Sequence, residues 1–411
     1  MLSHRERILN AVNYEDVDYI PLTLRWALRN FLRDKNRKWK DEIDRVYDEI
    51  QLGLDPVVEL KFPCWLISNE VKARTFHKKL WGEEVLVKEY DTPNGKLTKV
   101  IRLTRDWPHG LEAPLFDDFQ APRARTRKYL IENEDDVRAF STLFRSMSDL
   151  ELQKFLEHYE RIKKFADENE LPVINNFNVT EKDNTFFLGD ALAWVCGIEN
   201  MMLLPYRNPT LLEKILDVLL KLNKQYLSTL LGNCKLDIIC YRGWYENTLF
   251  WTPTFYKKFI APRVKELIEI THHHGTKFCY IMTSNFMPLV GMFKELSIDI
   301  LFGPDPVQGN VDLTKLKNEV EGRICLWGGV NAPIIIGLGT RRQIEEAVLN
   351  VLKLYQNSGG LILSAIDTLE EHFPWENIEY MIGVWKRFRS GGSLSSHTSY
   401  QYSGGCTSPL T

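Results

Sequence analysis

A repeated alternation of strand and helix constrains the fold of this chain more than any other sequence feature. The β-rich runs are PVINNFNV (172–179), LDIICYRGWY (236–245), KFCYIMTSN (277–285), IDILFGPD (298–305), ICLWGGVN (324–331) and GLILSAID (360–367). Amphipathic helical segments separate them, which predicts parallel strands joined by right-handed crossovers. Extended runs near 18–25 and 56–60 bring the strand count close to eight. We therefore predict an α/β fold, a (β/α)8 TIM barrel.

Helix start signals support this alternation. Ser3 and Glu6 have the capping-box spacing, in which each side chain satisfies an orphan backbone donor, so a short helix is expected at the N-terminus before the barrel. Another helical stretch is expected around Ile43–Ile50. Further N-caps are expected at Asn208, Thr252, Asp312 and Thr340.

Two segments depart from the barrel pattern. Residues 84–105 alternate apolar and polar side chains around Asn94-Gly95, a strong two-residue turn signal, which predicts an inserted β-hairpin. From Ser390 the chain is rich in Ser and Gly and loses periodicity, so residues 390–411 are expected to be disordered. We expect residues 1–389 to form a single barrel domain.

Composition excludes several classes of protein. Lys and Arg number 52 against 55 Asp and Glu, a net charge of −3 without a basic stripe, which argues against nucleic-acid binding. The charged N-terminus does not resemble a secretory signal, and no apolar run reaches the length of a membrane span. We expect a cytoplasmic protein.

Cysteine and histidine patterns do not indicate a metal site. Seven cysteines occur without CxxC spacing, mostly in apolar runs, which is typical of core residues in a reducing compartment. His272–His274 follow a long helical segment, and histidine is favourable at a helix C-terminus because of the partial negative charge there. The strand after them ends in Met282-Thr283-Ser284-Asn285, which offers no good zinc ligands.

Polar residues at the expected C-terminal ends of strands are the candidate site residues, because βα loops carry the chemistry of barrels. They are Arg25, Arg29, Asp55, Asn176, Asn178, Arg242, Tyr245, Glu246, Thr283, Asn285, Asp305, Asn331 and Asp367. The recurring arginines suit a substrate with carboxylates or phosphates, since the guanidinium binds them bidentately. Several of these residues also have a structural interpretation: Asp55 could simply begin a strand, and an Arg242–Glu246 pair could bridge two loops.

Four blocks of sequence resemble the uroporphyrinogen decarboxylase superfamily. They are HRERILNAVNYEDVDYIPL, WTPTFYKKFIAPRVKELIEITHHHGTKFCYIMTSN, VDLTKLKNEVEGRICLWGGVN and GGLILSAIDTLEEHFPWENIEYMI, in that order. The likeness runs from about residue 3 to 388. It implies a (β/α)8 barrel and, for function, either a haem-pathway decarboxylase or a methyltransferase that works with a corrinoid protein.

The decarboxylase branch implies cofactor-free decarboxylation of a tetrapyrrole-type polycarboxylate. The resemblance places Arg25 and Arg29 as ligands of substrate carboxylates, and Asp55 as the group that stabilises positive charge on the ring. The family histidine near the last strand has no match except His372, a few residues late. This branch is our leading expectation, with no cofactor required.

The methyltransferase branch implies a corrinoid, and in many members a zinc ion. The family's zinc ligands would fall at Ile281 and Thr283, so zinc is not expected. A methyltransferase would instead use a site around Arg242, Glu246, Thr283 and Asp367. The inserted hairpin resembles this branch.

A third possibility is a barrel that binds a ligand or a corrinoid protein without catalysis. The resemblance also permits a homodimer. Taken together, the expected catalytic residues are Asp55, Arg242, Glu246 and Asp367. The expected substrate-binding residues are Arg25, Arg29, Tyr245, Thr283, Asn285 and Asp305.

Overall fold

The computed structural model describes residues 1–27, 30–176, 186–356 and 358–389. The strands are β1 (Asn30–Phe31), β2 (Asp34–Lys38), β3 (Val58–Leu60), β4 (Lys72–Leu80), β5 (Glu83–Thr92), β6 (Gly95–Arg102), β7 (Thr126–Lys128), β8 (Val173–Asn175), β9 (Phe186–Phe187), β10 (Ile238–Arg242), β11 (Lys277–Ile281), β12 (Ile300–Phe302), β13 (Cys325–Asn331) and β14 (Leu361–Ile366). Arg29, Asn178 and the tail 390–411 lie outside the described residues.

Helices lie between the strands, and strand and helix alternate from β10 onward. They are α1 (His4–Asn13), α2 (Glu42–Gln51), α3 (Glu134–Phe140), α4 (Asp149–Glu168), α5 (Gly189–Val195), α6 (Ile198–Arg207), α7 (Pro209–Asn233), α8 (Pro253–Phe255), α9 (Ala261–His273), α10 (Val290–Leu296), α11 (Leu313–Val320), α12 (Arg341–Tyr355) and α13 (Trp375–Arg389). Single 3₁₀ turns occur at Asp118–Gln120, Trp244–Glu246 and Met287–Leu289. Two π-helical turns span Tyr256–Ile260 and Ala332–Ile336.

A parallel sheet curls into the barrel. Its strand order is β14-β13-β12-β11-β10-β8-β3, and every pairing along it is parallel. Residues 21–23 close the gap between its edges: Thr23 N–H donates to the Leu363 carbonyl at 3.0 Å, and Asp55 N–H donates to the Leu22 carbonyl at 3.0 Å. This short segment occupies the eighth strand position, so the predicted TIM barrel is confirmed.

Alternate strand residues fill the lumen of the barrel. The lumen side chains are Val57, Ile174, Ile238, Cys240, Cys279, Ile281, Ile300, Phe302, Cys325, Trp327, Ile362 and Ile366. Helix α1 belongs to the same cluster through Ile8, Ala11 and Val12. Apolar burial of three side chains therefore holds α1 across the N-terminal end of the barrel.

Ion pairs fix α1 in that position. Arg5 Nη2 lies 2.6 Å from Asp237 Oδ1, and the other carboxylate oxygen of Asp237 accepts the Val173 N–H at 2.8 Å. Arg7 Nη1 lies 2.7 Å from Asp55 Oδ1. Asp237 directly precedes β10 and Asp55 lies three residues before the first residue of β3, so the helix is bound close to the strand starts.

Local capping explains where many helices begin. Ser3 and Glu6 form the expected capping box at α1. The expected N-caps are confirmed at Asn208, Thr252, Asp312 and Thr340, each accepting a backbone N–H with its side chain. These short polar residues satisfy donors that the first turn leaves unpaired.

The insertion, residues 72–128, is larger than the expected hairpin. The hairpin of β5 and β6 turns at Pro93-Asn94, and β4 and β7 extend it into an antiparallel sheet of order β4-β5-β6-β7. Leu86 and Ile101 pack with Trp107 and Ala113 on one face. The sequence pattern missed β4, KARTFHKKL, because most of its side chains are exposed and no apolar alternation marks it.

None of the helices in the described part of the chain is long and apolar enough to span a bilayer.

Candidate active site at the barrel mouth

The barrel mouth consists of the C-terminal ends of the barrel strands and the loops that follow them. Arg25 lies there after the closing segment, with its side chain 8% exposed. Its Nη1 atom lies 3.0 Å from Oδ1 of Asp367, which follows β14 and is 39% exposed. The guanidinium carbon lies 5.9 Å from the ring centroid of Phe302 in the lumen. The structure therefore brings two predicted site residues, Arg25 and Asp367, together at the lumen.

Glu59 is a site residue that sequence reasoning missed. It lies on β3 two residues after Val57, whose side chain is in the lumen. The charges of Glu59 and Arg25 both influence the pKa of the Cys240 thiol, which also lies in the lumen. Burial raises the pKa of Glu59, and the neighbouring Glu42 carboxylate raises it further, although Arg45 and Arg25 oppose the change. A single carboxylate within the apolar run DPVVEL was the available signal.

A second cluster surrounds Arg242 at the end of β10. The guanidinium is 4% exposed; its Nη2 atom lies 2.9 Å from Asp118 Oδ2, and its Nε atom lies 3.2 Å from Asp190 Oδ1. Its carbon lies 4.1 Å from the centroid of Trp244 and 4.9 Å from that of Trp194, a cation–π geometry. Arg242 is therefore held by two carboxylates and two indole rings.

Asp190 and Asp118 differ in their access to water. Asp190, in the first turn of α5, is fully buried, and burial raises its pKa to about 8, with the Arg242 charge opposing that shift. Asp118, from the insertion, is 45% exposed. Neither aspartate was a sequence candidate, because both lie far along the chain from the strand end that they serve.

Glu246 does not face the lumen. Its carboxylate accepts the Gly189 N–H and the Tyr241 hydroxyl, each at 2.7 Å, and also the Tyr280 hydroxyl. Tyr241 and Tyr280 pack in the layer between strands and helices. A Cβ on Gly189 would lie 2.4 Å from Glu246 Cγ, so a residue without a side chain is required there. Glu246 thus fixes the loop after β10 from behind the sheet.

Tyr245 lies between the two carboxylates of the Arg242 cluster. Its backbone N–H donates to Asp190 Oδ2 at 3.2 Å. The pKa of its hydroxyl is raised, first by burial and then by the charges of Asp118 and Asp190. Tyr245 therefore belongs to the cluster around Arg242.

The remaining candidates belong to the loops after β11 and β12, the two strands that follow β10 in the sheet. Thr283 is half-buried after β11, and Asn285 is exposed with a left-handed φ of 53°. Asp305 is engaged within its own loop, because its carboxylate accepts the Val307 N–H at 2.8 Å and the Asn331 side-chain amide at 2.9 Å.

The expectation that Asp55 lies at the mouth is wrong. Asp55 precedes β3 and lies at the N-terminal end of the barrel, fully buried against α1. His4 Nδ1 and Arg7 Nη1 lie 2.8 and 2.7 Å from its Oδ1 atom. The segment Gly53-Leu54-Asp55-Pro56 leads into β3. The position of Asp55 therefore agrees with the alternative interpretation, in which it only begins a strand.

The described residues contain no cluster of three or more His, Cys, Asp or Glu side chains that could hold a metal ion. His272 is an ordinary surface residue whose Nε2 atom lies 2.7 Å from Asp299 Oδ2. Cys240 and Cys279 are paired in register inside the lumen, and burial raises the pKa of the Cys240 thiol. A neutral thiol is a poor metal ligand.

Comparisons with known proteins agree with this architecture. A family model described as "Uroporphyrinogen decarboxylase (URO-D)" matches residues 191–388. A solved methyltransferase from Methanosarcina mazei superposes with a TM-score of 0.59 at 14% identity, covering 94% of this chain and 99% of that chain. No curated protein sequence matches significantly.

Weaker structural likenesses concern sugar epimerases. D-psicose 3-epimerase from Clostridium cellulolyticum H10, solved with D-tagatose, reaches a TM-score of 0.33 at 12% identity, covering 59% of this chain and 84% of that chain. The second half of the barrel, residues 191–388, matches the uroporphyrinogen decarboxylase family, and a methyltransferase shares the fold over nearly the whole chain.

Proposed function

We propose that this barrel transfers a methyl group from a small methylated substrate to a corrinoid acceptor carried by a partner protein. The substrate would be a methyl ether, methylamine or methyl thioether that binds in the lumen between Arg25, Glu59 and Asp367. The fold shared with a solved methyltransferase supports this proposal at the level of architecture only.

The charge balance at the mouth is the observation that carries the proposal. Arg25 faces Asp367 at 3.0 Å, and Arg242 faces Asp118 at 2.9 Å with Asp190 beside it. Within the described residues, each of these two buried guanidinium groups already has a carboxylate partner, and Glu59 adds a further carboxyl group. A surface of this kind favours an uncharged or singly charged substrate over a polyanion, whose carboxylates would have to displace those partners.

Glu59 would supply the proton for the leaving group. Methyl transfer breaks the bond between the methyl carbon and a heteroatom, and the electron pair stays on the heteroatom, which then takes a proton. A carboxyl group whose pKa is raised by burial keeps its proton closer to neutral pH, as a general acid must. The acceptor contributes the nucleophile that takes the methyl group.

The rim of the mouth suits the approach of a large acceptor. Exposed apolar side chains stand on three βα loops: Leu249 after β10, Val307 after β12, and Ile334 and Leu338 after β13. Apolar residues at the rim of a cleft are typical of a surface that meets a partner. A zinc-activated mechanism does not fit, because Ile281 is apolar and Thr283 offers only a hydroxyl.

The test uses free cob(I)alamin as the acceptor and a panel of methyl ethers, methylamines and thioethers, under anaerobic conditions. Formation of methylcobalamin would be followed by its absorbance. The Glu59→Gln variant should lose rate by roughly 100-fold or more, because a general acid typically contributes that much. Glu49→Gln is the matched control: Glu49 is also buried, with a pKa raised to about 7, but it bonds Trp26 and Arg45 behind the sheet.

Decarboxylation of a tetrapyrrole is the second candidate, favoured by the presence of Arg25 in the mouth. Uroporphyrinogen is therefore included in the same assay. Stepwise loss of its carboxyl groups, abolished in Arg25→Ala and without methyl transfer from any donor, would refute our proposal. Binding of either ligand without turnover would indicate the non-catalytic barrel.

A further inference from the structure

The insertion contributes a carboxylate to the barrel mouth. Asp118 lies in the 3₁₀ turn Asp118–Gln120, between β6 and β7, and it contacts barrel residues rather than its own sheet. Its Oδ2 atom accepts from Arg242 Nη2 at 2.9 Å, and its Oδ1 atom accepts from Trp194 Nε1 at 3.0 Å. The Tyr245 hydroxyl also interacts with this carboxylate.

These contacts join three barrel elements through one side chain. Arg242 ends β10, Trp194 belongs to α5, and Tyr245 lies in the loop after β10. The carboxylate remains 45% exposed although the guanidinium that it holds is 4% exposed. Asp118 therefore helps to shield the Arg242 guanidinium from solvent.

A buried lysine fixes the turn that carries Asp118. Lys99 Nζ, on β6, donates to the side-chain oxygen of Gln120 at 2.9 Å, to the Leu115 carbonyl at 3.1 Å and to the Trp194 carbonyl at 3.3 Å. The Gln120 side-chain amide in turn donates to the Pro114 carbonyl at 2.7 Å. The insertion sheet, the turn and α5 thus share one hydrogen-bond network, which specifies a single position for the turn.

We propose that Asp118 is a positioning residue of the site: it holds Arg242 against Asp190 and Tyr245, so that the insertion sets the charge state of the β10 side of the mouth. Two carboxylates compete for one guanidinium, and the charge on Asp118 favours the protonated form of Asp190. If the charge on Asp118 is removed, Asp190 is the carboxylate partner that Arg242 keeps among the described residues. This inference holds whichever group the barrel transfers.

The experiment compares Asp118→Asn with the intact protein by NMR of ¹³C-labelled aspartate carboxyls and ¹⁵N-labelled arginine side chains. Asp190→Asn and Arg242→Lys identify the two signals. In Asp118→Asn the pKa of Asp190 should fall by about one pH unit or more, because a nearby like charge is lost. The Arg242 Nε resonance should shift as its partner changes. Asp118→Glu should restore both signals toward the original values.

Asp106→Asn is the control, since Asp106 is an insertion aspartate paired with an arginine, Arg125, at 2.8 Å but not with the barrel. Both signals should be unchanged there. A purely structural insertion would leave the titration of Asp190 in Asp118→Asn where it was, and that outcome would overturn the proposal. If Asp118→Asn does not fold, Asp118→Ser answers the same question.

Discussion

Arg7 and Asp55 form an ion pair at 2.7 Å that binds α1 to the segment before β3, and both side chains are almost fully buried. Removing one partner of a buried pair leaves an uncompensated charge. We expect Asp55→Asn to lower the free energy of unfolding by about 3–5 kcal/mol, measured by urea denaturation. Asp18→Asn also removes a partner of Arg7, but Asp18 is partly exposed, so the loss should be smaller. Equal losses in the two variants would contradict this account.

The carboxyl of Glu59 should make stability depend on pH. Its pKa is raised above the usual value of 4.5 in the folded state, chiefly by burial, so the folded state binds the proton more tightly than the unfolded state. The resulting stability is fully present below pH 4.5 and is lost as pH rises through the folded-state pKa. Glu59→Gln removes this loss, so its free energy of unfolding relative to the intact protein should increase from pH 4 toward neutrality. Glu295→Gln, at an exposed position, should show a flat difference.

Lys99 should produce a dependence of the opposite sign at higher pH. Burial lowers its pKa from 10.5 to about 7, so between these values the unfolded state binds more protons than the folded state. The free energy of unfolding should then rise with pH from about 7 to 10, by on the order of 1 kcal/mol per pH unit. Lys99→Met should flatten this rise. Lys96→Met, which removes an exposed lysine from the same strand, should retain it; a flat profile in the intact protein would exclude this role of Lys99.

Glu246 should matter for stability rather than for chemistry. Glu246→Ala removes the acceptor of the Gly189 N–H and of the Tyr241 and Tyr280 hydroxyls, all buried. Each unpaired donor costs about 1–3 kcal/mol, so thermal unfolding should shift strongly downward. Tyr280→Phe removes one donor only and should cost a fraction of that loss. A catalytic Glu246 would instead show normal stability with lost turnover.

The sequence predicted the barrel because its signals are local. N-caps such as Asn208 and Thr340 act within one turn, and each barrel strand is a short apolar run. The site was harder to predict, because its contacts join distant segments. Asp118 and Arg242 are 124 residues apart, and the sequence around neither residue indicates that the two are in contact. Asp55 was misplaced because a polar residue beside an apolar run looks alike at either end of the strand.

Glu59 was missed for a different physical reason. Alternation along a strand identifies two faces, but in a barrel both faces are covered, one by helices and one by the lumen. A carboxylate among apolar neighbours therefore does not reveal which face it occupies. Only closure of the sheet by residues 21–23 makes the face of Glu59 the inside of the barrel.

The position of α1 has a consequence for how molecules enter and leave the barrel. Because Ile8, Ala11 and Val12 pack into the lumen cluster, α1 covers the N-terminal end of the barrel within the described residues. A ligand that enters the mouth past Arg25 then has to leave through the mouth as well, so a product has to be released before the next ligand can bind. If the barrel has the function that we propose, binding of the acceptor and release of the demethylated product would exclude each other, and turnover would follow an ordered mechanism.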